Sequence, residues 1–266
     1  MPFTSDRDCQ LQVYRDRLFC FYFHDSTRVF FLTKTFAGHW STAQDVGIDS
    51  WSGTPTAFMF KGQLYVLGSG ESSGEGIQSK LATFNPSTQA FEQRDFDFFF
   101  HGTPALVEYR ASLYMFYRLV EGGALFWAHT QNMREWRTDG PVYQDGVTTV
   151  TPRQDAVACV YQGLIHLLHG TGQGLSLLKY DGLGWGRSVP FISRVYESAP
   201  GLVVHDGLLT VVGSRPADDR LDANLYLHRY DGNAQGIVEA SIGLVALGSP
   251  AVAVLDGELQ VIYPSA

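Results

Sequence analysis

The side chains best suited to chemistry recur in short polar stretches ahead of apolar strands: Arg7 and Asp8, Trp51, His101, Arg153 with Asp155, and Tyr196 with Glu197. Glu197, in the stretch YESAP, is placed to act as a general acid or to accept bonds from sugar hydroxyls, and His101 or Asp155 would share the proton transfers. These three form the candidate catalytic set. Arg153, Arg118 and Arg7 offer planar forks of donors, Asp8 a further carboxylate, His169 a ring nitrogen, and Trp51 and Tyr196 flat platforms for a ring to stack on. These seven form the candidate ligand-binding set. Arg153 and Asp155 have a plainer alternative, which is to pair with each other across a structural boundary and cap backbone groups.

Other patterns fall away on spacing. His166 and His169 look like a ligand pair, but three residues apart on a strand they point to opposite faces, so no metal site is expected. GESSG, from Gly70 to Gly74, matches G-x-S-x-G without the strand-to-helix elbow that exposes a nucleophilic serine. No phosphate loop or dinucleotide fingerprint occurs, and no cofactor is expected. Cys9, Cys20 and Cys159 are an odd number in a long chain, which argues for buried thiols over a disulfide framework, although Cys9 and Cys20 would lie on neighbouring strands.

A repeat must position these groups. GTPTAFMFKGQLYVLG from Gly53, GTPALVEYRASLYMFYR from Gly102, SAPGLVVHDGLLTVVG from Ser198 and GSPAVAVLDGELQVIYP from Gly248 share one plan: two alternating strands around a tight turn. Counting from the proline, the turn glycine comes seven residues later and a strand leucine nine later, as in Pro55, Gly62 and Leu64. Ala111 stands at the glycine place of the unit that begins at Pro104, and the most worn unit runs Cys9, Asp16, Leu18. Units start near 9, 55, 104, 156, 200 and 250, at intervals of 46, 49, 52, 44 and 50 residues. That is the period of a four-stranded propeller blade. Third strands follow in ALFWAHT, LSLLKYD and NLYLHRYD, and then often a tryptophan, Trp40, Trp136 or Trp185. No helical periodicity of ten or more residues interrupts this pattern.

The expected fold is therefore all-β: one propeller of four-stranded antiparallel blades over residues 1–266, with six blades and five as the alternative. The sixth unit carries only two strands, with Pro2 to Ser5 available to thicken it. The chain has 45% hydrophobic and 17% charged residues and a formal net charge of −8, ample for a core and without the basic surface that draws nucleic acid or anionic membrane. No apolar run spans a bilayer and the first residues do not read as a signal peptide, so a cytoplasmic location is expected, with non-classical export as the alternative. Nothing in the residues sets the oligomeric state.

YDGLGWG at 180–186, with TQNMREW at 130–136 and RYDGNAQ at 229–235, resembles a worn form of the D-G-x-x-W turn of bacterial Asp-box-like and lectin-like β-propellers. Asp181, Gly182 and Trp185 match fully, while Asn132 with Trp136 and Asp231 with Gly232 match in part. The resemblance implies a structural turn in which Asp bonds to the backbone and Trp covers the gap between blades. It also implies a theme of sialidases, five-bladed glycosidases and sugar-binding lectins. The differing residues ahead of the strands favour one asymmetric axial site over equivalent sites in every blade. The expected function is binding of a glycan or other small polar ligand at the axial mouth. The alternatives are a glycoside-cleaving or acid/base enzyme at the same place, or a protein-interaction scaffold.

Overall fold

The computed structural model describes residues 8–23, 27–49, 51, 54–73, 76–94, 96–196, 198–216, 223–233, 238–246 and 248–264. The described residues contain strands and turns and no helix. Blade 1 is β1 (Gln10–Tyr14), β2 (Arg17–Phe23), β3 (Val29–Thr35) and β4 (Gln44–Asp45); blade 2 is β5 (Thr56–Phe60), β6 (Gln63–Ser73), β7 (Gly76–Asn85) and β8 (Ala90–Arg94). Blade 3 comprises β9 (His101–Tyr109), β10 (Ser112–Arg118), β11 (Leu125–Thr130) and β12 (Arg137–Pro141). Blade 4 holds β13 (Val157–Tyr161), β14 (Leu164–Thr171), β15 (Gly174–Tyr180) and β16 (Val189–Ile192), and blade 5 holds β17 (Gly201–His205), β18 (Leu208–Pro216), β19 (Ala223–Tyr230) and β20 (Val238–Ala246). β21 (Ala251–Leu255) and β22 (Glu258–Ile262) form a separate two-stranded sheet, blade 6.

Neighbouring strands in each blade are antiparallel, and the first strands β1, β5, β9, β13, β17 and β21 touch in that order, with β21 returning to β1. This is a β-propeller with five four-stranded blades and a thin sixth position. The repeat reports this closely, because its two marked strands are the inner pair of each blade.

Each gap between blades holds its own apolar core. Tyr14, Phe19, Phe31 and Phe84 pack between blades 1 and 2, Phe96, Phe100, Met115 and Tyr117 between 2 and 3, and Tyr114, Phe116, Val150 and Tyr180 between 3 and 4. Tyr161, Phe191 and Tyr230 fill the next gap, while blade 6 meets its neighbours through Ala251, Ala253, Leu255 and Ile262 on one face and Val252 and Val261 on the other. A blade presents two faces to water and is stable only when both are covered, so each gap is a separate burial step.

The turns after the third strands do the work their residues imply. Asp181 Oδ1 accepts the N–H groups of Leu183 at 2.8 Å and Gly184 at 2.9 Å, which holds its carboxyl below the usual range. Trp185 then packs at 5.0 Å from Tyr180, 5.6 Å from Phe116 and 5.9 Å from Trp127, bridging blades 3 and 4. Asn132 Oδ1 repeats the bonds, to Arg134 N–H at 3.0 Å and Glu135 N–H at 2.9 Å.

All three cysteines are free thiols. Cys9 and Cys20 are buried, and the contact with Cys9 followed by burial raises the Cys20 thiol well above its ordinary value; burial alone pushes Cys159 up to about 12. Residues 70–73 of the G-x-S-x-G stretch lie on β6, with Ser72 paired to Ile77 of β7, and Gly74 lies outside the described residues.

The inner turns carry a measurable strain. In five of the six, both central residues have positive φ, as in Lys61 (49°) with Gly62 (73°) and Asp256 (50°) with Gly257 (82°), the geometry of a two-residue hairpin. Ala111 occupies the glycine place at φ 61° beside Arg110 at 48°. A Cβ in that region costs about 1 kcal/mol. Ala111→Gly is therefore expected to stabilise the protein by about 1 kcal/mol and raise the calorimetric midpoint by roughly 2 °C.

Candidate functional site

The residue immediately before the first repeat position is Asp8, Thr54, Thr103, Asp155, Ala199 or Ser249, one for each blade. The connections into the inner strands carry all six of these residues to one end of the axis. There they line a cavity of about 710 Å³, together with Gln10, Arg118, Arg153, Gln154 and Ser198 and with aliphatic walls such as Leu106 and Val203. Every blade contributes, and the six positions are not equivalent: two aspartates, two threonines, one alanine and one serine.

Two of the carboxylates perform the same structural task. Asp155 Oδ2 accepts the Thr103 N–H of the preceding blade at 2.9 Å, and Asp8 Oδ1 accepts the Ser249 N–H of the last blade at 2.7 Å. Asp155 Oδ1 also pairs with the Arg118 guanidinium, whose side chain is 11% exposed. Both acids sit where the neighbouring chain has no side chain: a Cβ on Gly102, which has φ +75°, would lie 2.7 Å from Asp155 Oδ1, and one on Gly248 would lie 2.5 Å from Asp8 Oδ1. A buried backbone donor needs an acceptor, and a charged acceptor makes the stronger bond.

Arg153 is exposed at the cavity, and its guanidinium makes no ion pair or hydrogen bond with the described residues; only its backbone N–H is engaged, by Gly170 O at 3.2 Å. The alternative in which Arg153 pairs with Asp155 does not occur; Arg118 pairs with Asp155 instead. The backbone of β9 explains the exchange, because His101 and Arg118 are paired across β9 and β10, which carries Arg118 toward the acid.

The structure brings Asp8, Arg118, Arg153 and Asp155 together. It does not bring Trp51, Tyr196, His101 or His169 to that cavity. Trp51 and Tyr196 are each 1% exposed, wedged against Gly68 and Gly213, where an added Cβ would fall 2.2 Å and 2.1 Å from their rings. Tyr196 Oη also lies 2.5 Å from His228 Nε2, inside blade 5. They are blade-sealing rings and not ligand platforms, and among the described residues no aromatic side chain lines the cavity. His101 is half-buried on β9, with its Nδ1 buried and unbonded among the described residues. His169 is buried in β14, its Nε2 3.3 Å from Ser188 Oγ. Arg7 and Glu197 lie outside the described residues. Gln154 and the serine and threonine hydroxyls were missed by sequence reasoning; the signal for Thr54, Thr103 and Ser249 was the column one place ahead of the repeat start, with Gln154 and Ser198 two places ahead. Gln154 Nε2 donates to Tyr196 O, linking the cavity wall to the wedge in the next blade.

Among the described residues no group of three His, Cys, Asp or Glu side chains could hold a metal ion, and no helix is long and apolar enough to cross a membrane.

No family model and no curated protein sequence matches the chain. Solved structures do. A six-bladed β-propeller lectin from Aleuria aurantia, described as having a novel mode of fucose recognition, superposes with TM-score 0.65 at 10% identity over 88% of this chain and 78% of its own. An α-L-arabinofuranosidase from Clostridium thermocellum gives 0.57 at 14% identity over 80% and 82%, and a glycosyl hydrolase from Bacteroides ovatus 0.53 at 10% over 79% and 84%. The shared property is the propeller. The neighbours are glycan-related proteins of both kinds, binders and hydrolases.

The two histidines set aside as a metal-ligating pair leave a pH signature. His166 is 1% exposed between Cys159 and Lys179, with Nδ1 3.3 Å from Leu164 O and Nε2 unbonded among the described residues. Burial pushes its pKa down to about 4, against a weaker opposing effect of the Leu164 bond, and burial lowers that of His169 as well. The unfolded chain therefore takes up a proton near pH 6.5 that folded His166 refuses until about pH 4. Stability is full above pH 6.5 and falls as the pH drops toward 4, by roughly 2 kcal/mol from His166 between pH 7 and 5. Urea unfolding at these two pH values is expected to show this loss, and His166→Leu to reduce it.

Proposed function

We propose that this propeller binds a small polyhydroxylated ligand, a glycan or a fragment of one, at the mouth of its axial cavity, with Arg153 as the principal charged contact. The observation that carries this reading is the combination of an open cavity of about 710 Å³ with a guanidinium that no described group occupies. The volume lies within the range of small-molecule sites. The lining favours hydrogen bonding over stacking: the hydroxyls of Thr54, Thr103, Ser198 and Ser249, the amide of Gln10 and the Asp8 carboxylate complement alcohol groups, while Arg153 suits a carboxylate or a pair of vicinal oxygens. The axial aliphatic residues would take the carbon face of such a ligand. Ligands that offer only an aromatic or alkyl body would bind poorly.

Hydrolysis is the second reading. It is favoured by one observation, that Asp8 and Asp155 face the same cavity, and by the glycoside hydrolases among the structural neighbours. In that reading Glu197 is the general acid, and of its two candidate partners Asp155, which lines the cavity, shares the proton transfers while His101 does not reach it. Against it stands the engagement of both Asp155 oxygens by Arg118 and Thr103. The two readings part on turnover.

Titration calorimetry with neutral and acidic mono- and oligosaccharides is expected to find ligands whose affinity falls about tenfold or more in Arg153→Ala, the scale of a lost charge-assisted bond. Failure of the whole panel to bind, or binding untouched by that substitution, overturns the reading. Release of new reducing ends that slows in Glu197→Gln while affinity persists would establish the enzyme instead.

A further inference from the structure

The axial cavity is walled all round. Each of the six blades supplies the wall at the mouth and again further down, where Val13, Ala57, Leu106, Ala158, Val203 and Val254 come from blades 1 to 6 in turn. From Ser249 at the mouth to Val254 is five residues of extended chain, up to about 17 Å at the rise of a β-strand. A groove open along one side lets a polymer lie across it, whereas a well closed on every side admits a polymer only by its end.

The wall is also two-sided. Asp8, Gln10 and Gln12 of blade 1 all line the cavity, and their alternate positions put them on one side of the chain as it enters and forms β1. Gln12 Nε2 donates to Val13 O at 3.0 Å; among the described residues Gln12 Oε1 and the whole Gln10 side-chain amide make no hydrogen bond. They form a polar track that runs down from the mouth. The other blades face it at depth with aliphatic side chains, of which Leu106, Val203 and Val254 are partly exposed. A sugar ring has the same division, with hydroxyls around its edge and C–H groups on its faces.

We propose that the site takes the terminus of a glycan chain end-on, with the terminal ring lowered into the well, its hydroxyl edge along Asp8, Gln10 and Gln12 and its C–H face on the aliphatic wall. This rests on the axial-binding reading above and narrows it: the ligand is a chain end and not the interior of a polysaccharide. Gln10 and Gln12 then determine which terminal sugar is accepted. A side-chain amide bonds to a hydroxyl in the right place and is left unpaired, at a cost, by a ring that lacks one. Arg153 stays at the mouth, beside the part of the chain that leaves the well.

The test uses the best-binding sugar of the calorimetric panel, prepared as a series of linear oligomers of increasing length. End-on binding is expected to hold one protein per chain at every length, with an affinity that stops rising once the well is filled. Gln10→Ala is expected to weaken binding about fivefold, the scale of one hydrogen bond, without changing that stoichiometry. Val203→Phe obstructs the well below the mouth and is expected to weaken binding about tenfold or more while the circular dichroism spectrum is unchanged; Val254→Phe makes the same obstruction from blade 6 if Val203→Phe fails to fold. Proteins bound per chain that climb with oligomer length, or binding indifferent to a folded obstructing variant, overturn the end-on inference and leave Arg153-dependent binding at the mouth standing. A panel in which no sugar binds overturns the axial reading and this inference together.

Discussion

A ring of sheets turns the ends of its inner strands toward a common axis, and the backbone N–H groups arriving there lose water and need acceptors. At two of the junctions the acceptor is a carboxylate one place ahead of the inner strand. Asp155 ties blade 4 to blade 3 through Thr103, and Asp8 ties blade 1 to blade 6 through Ser249. The second bond matters most, because it joins residues at opposite ends of the chain. Among the described residues, the Asp8 side chain makes the hydrogen bond between the first and last blades at the axial mouth.

The same constraint shapes what the cavity can recognise. Carboxylates committed to backbone donors are less free for chemistry, and Arg118, drawn into the pair with Asp155, is committed with them. Arg153 is left over. A site made from the remainder of a structural network is asymmetric, since the column ahead of the inner strands holds threonine in blades 2 and 3, aspartate in 1 and 4, alanine in 5 and serine in 6, and among the described residues only the two aspartates bond to a neighbouring backbone N–H. One ligand at the axis fits that inequality better than a ring of equivalent sites.

Aromatic residues make up 14% of the chain, and they lie chiefly between blades. The wedge-shaped gaps widen outward, and large rings fill them where aliphatic chains would leave voids costly in stability. Phe19, Phe21, Phe31, Phe84 and Phe91 form one such packed group at ring separations of 5.1 to 6.3 Å. The glycines at 68 and 213 belong to this scheme, because they admit Trp51 and Tyr196 flat against the sheet. Blade 6 offers mainly small and aliphatic residues to its neighbours, which matches its reduced width.

The repeat alone determined the architecture: strand period, turn position and the six inner strands follow from the spacing of proline, glycine and leucine, because hairpin geometry and alternating burial act over a few residues and leave a local mark. It assigned Asp8, Arg118, Arg153 and Asp155 to one end of the axis together with Trp51, His101, His169 and Tyr196, and of these only the first four line the cavity. Which of them pair was settled only in three dimensions. Arg118 lies 37 residues from Asp155 and Arg153 only two, yet the former makes the bond, since strand pairing and not sequence distance decides what a guanidinium can reach. The fate of Trp51 and Tyr196 was likewise hidden: an aromatic ring ahead of a strand reads the same whether it faces a ligand or a glycine on the next turn of the fold, and only the packing of one blade against another distinguishes them.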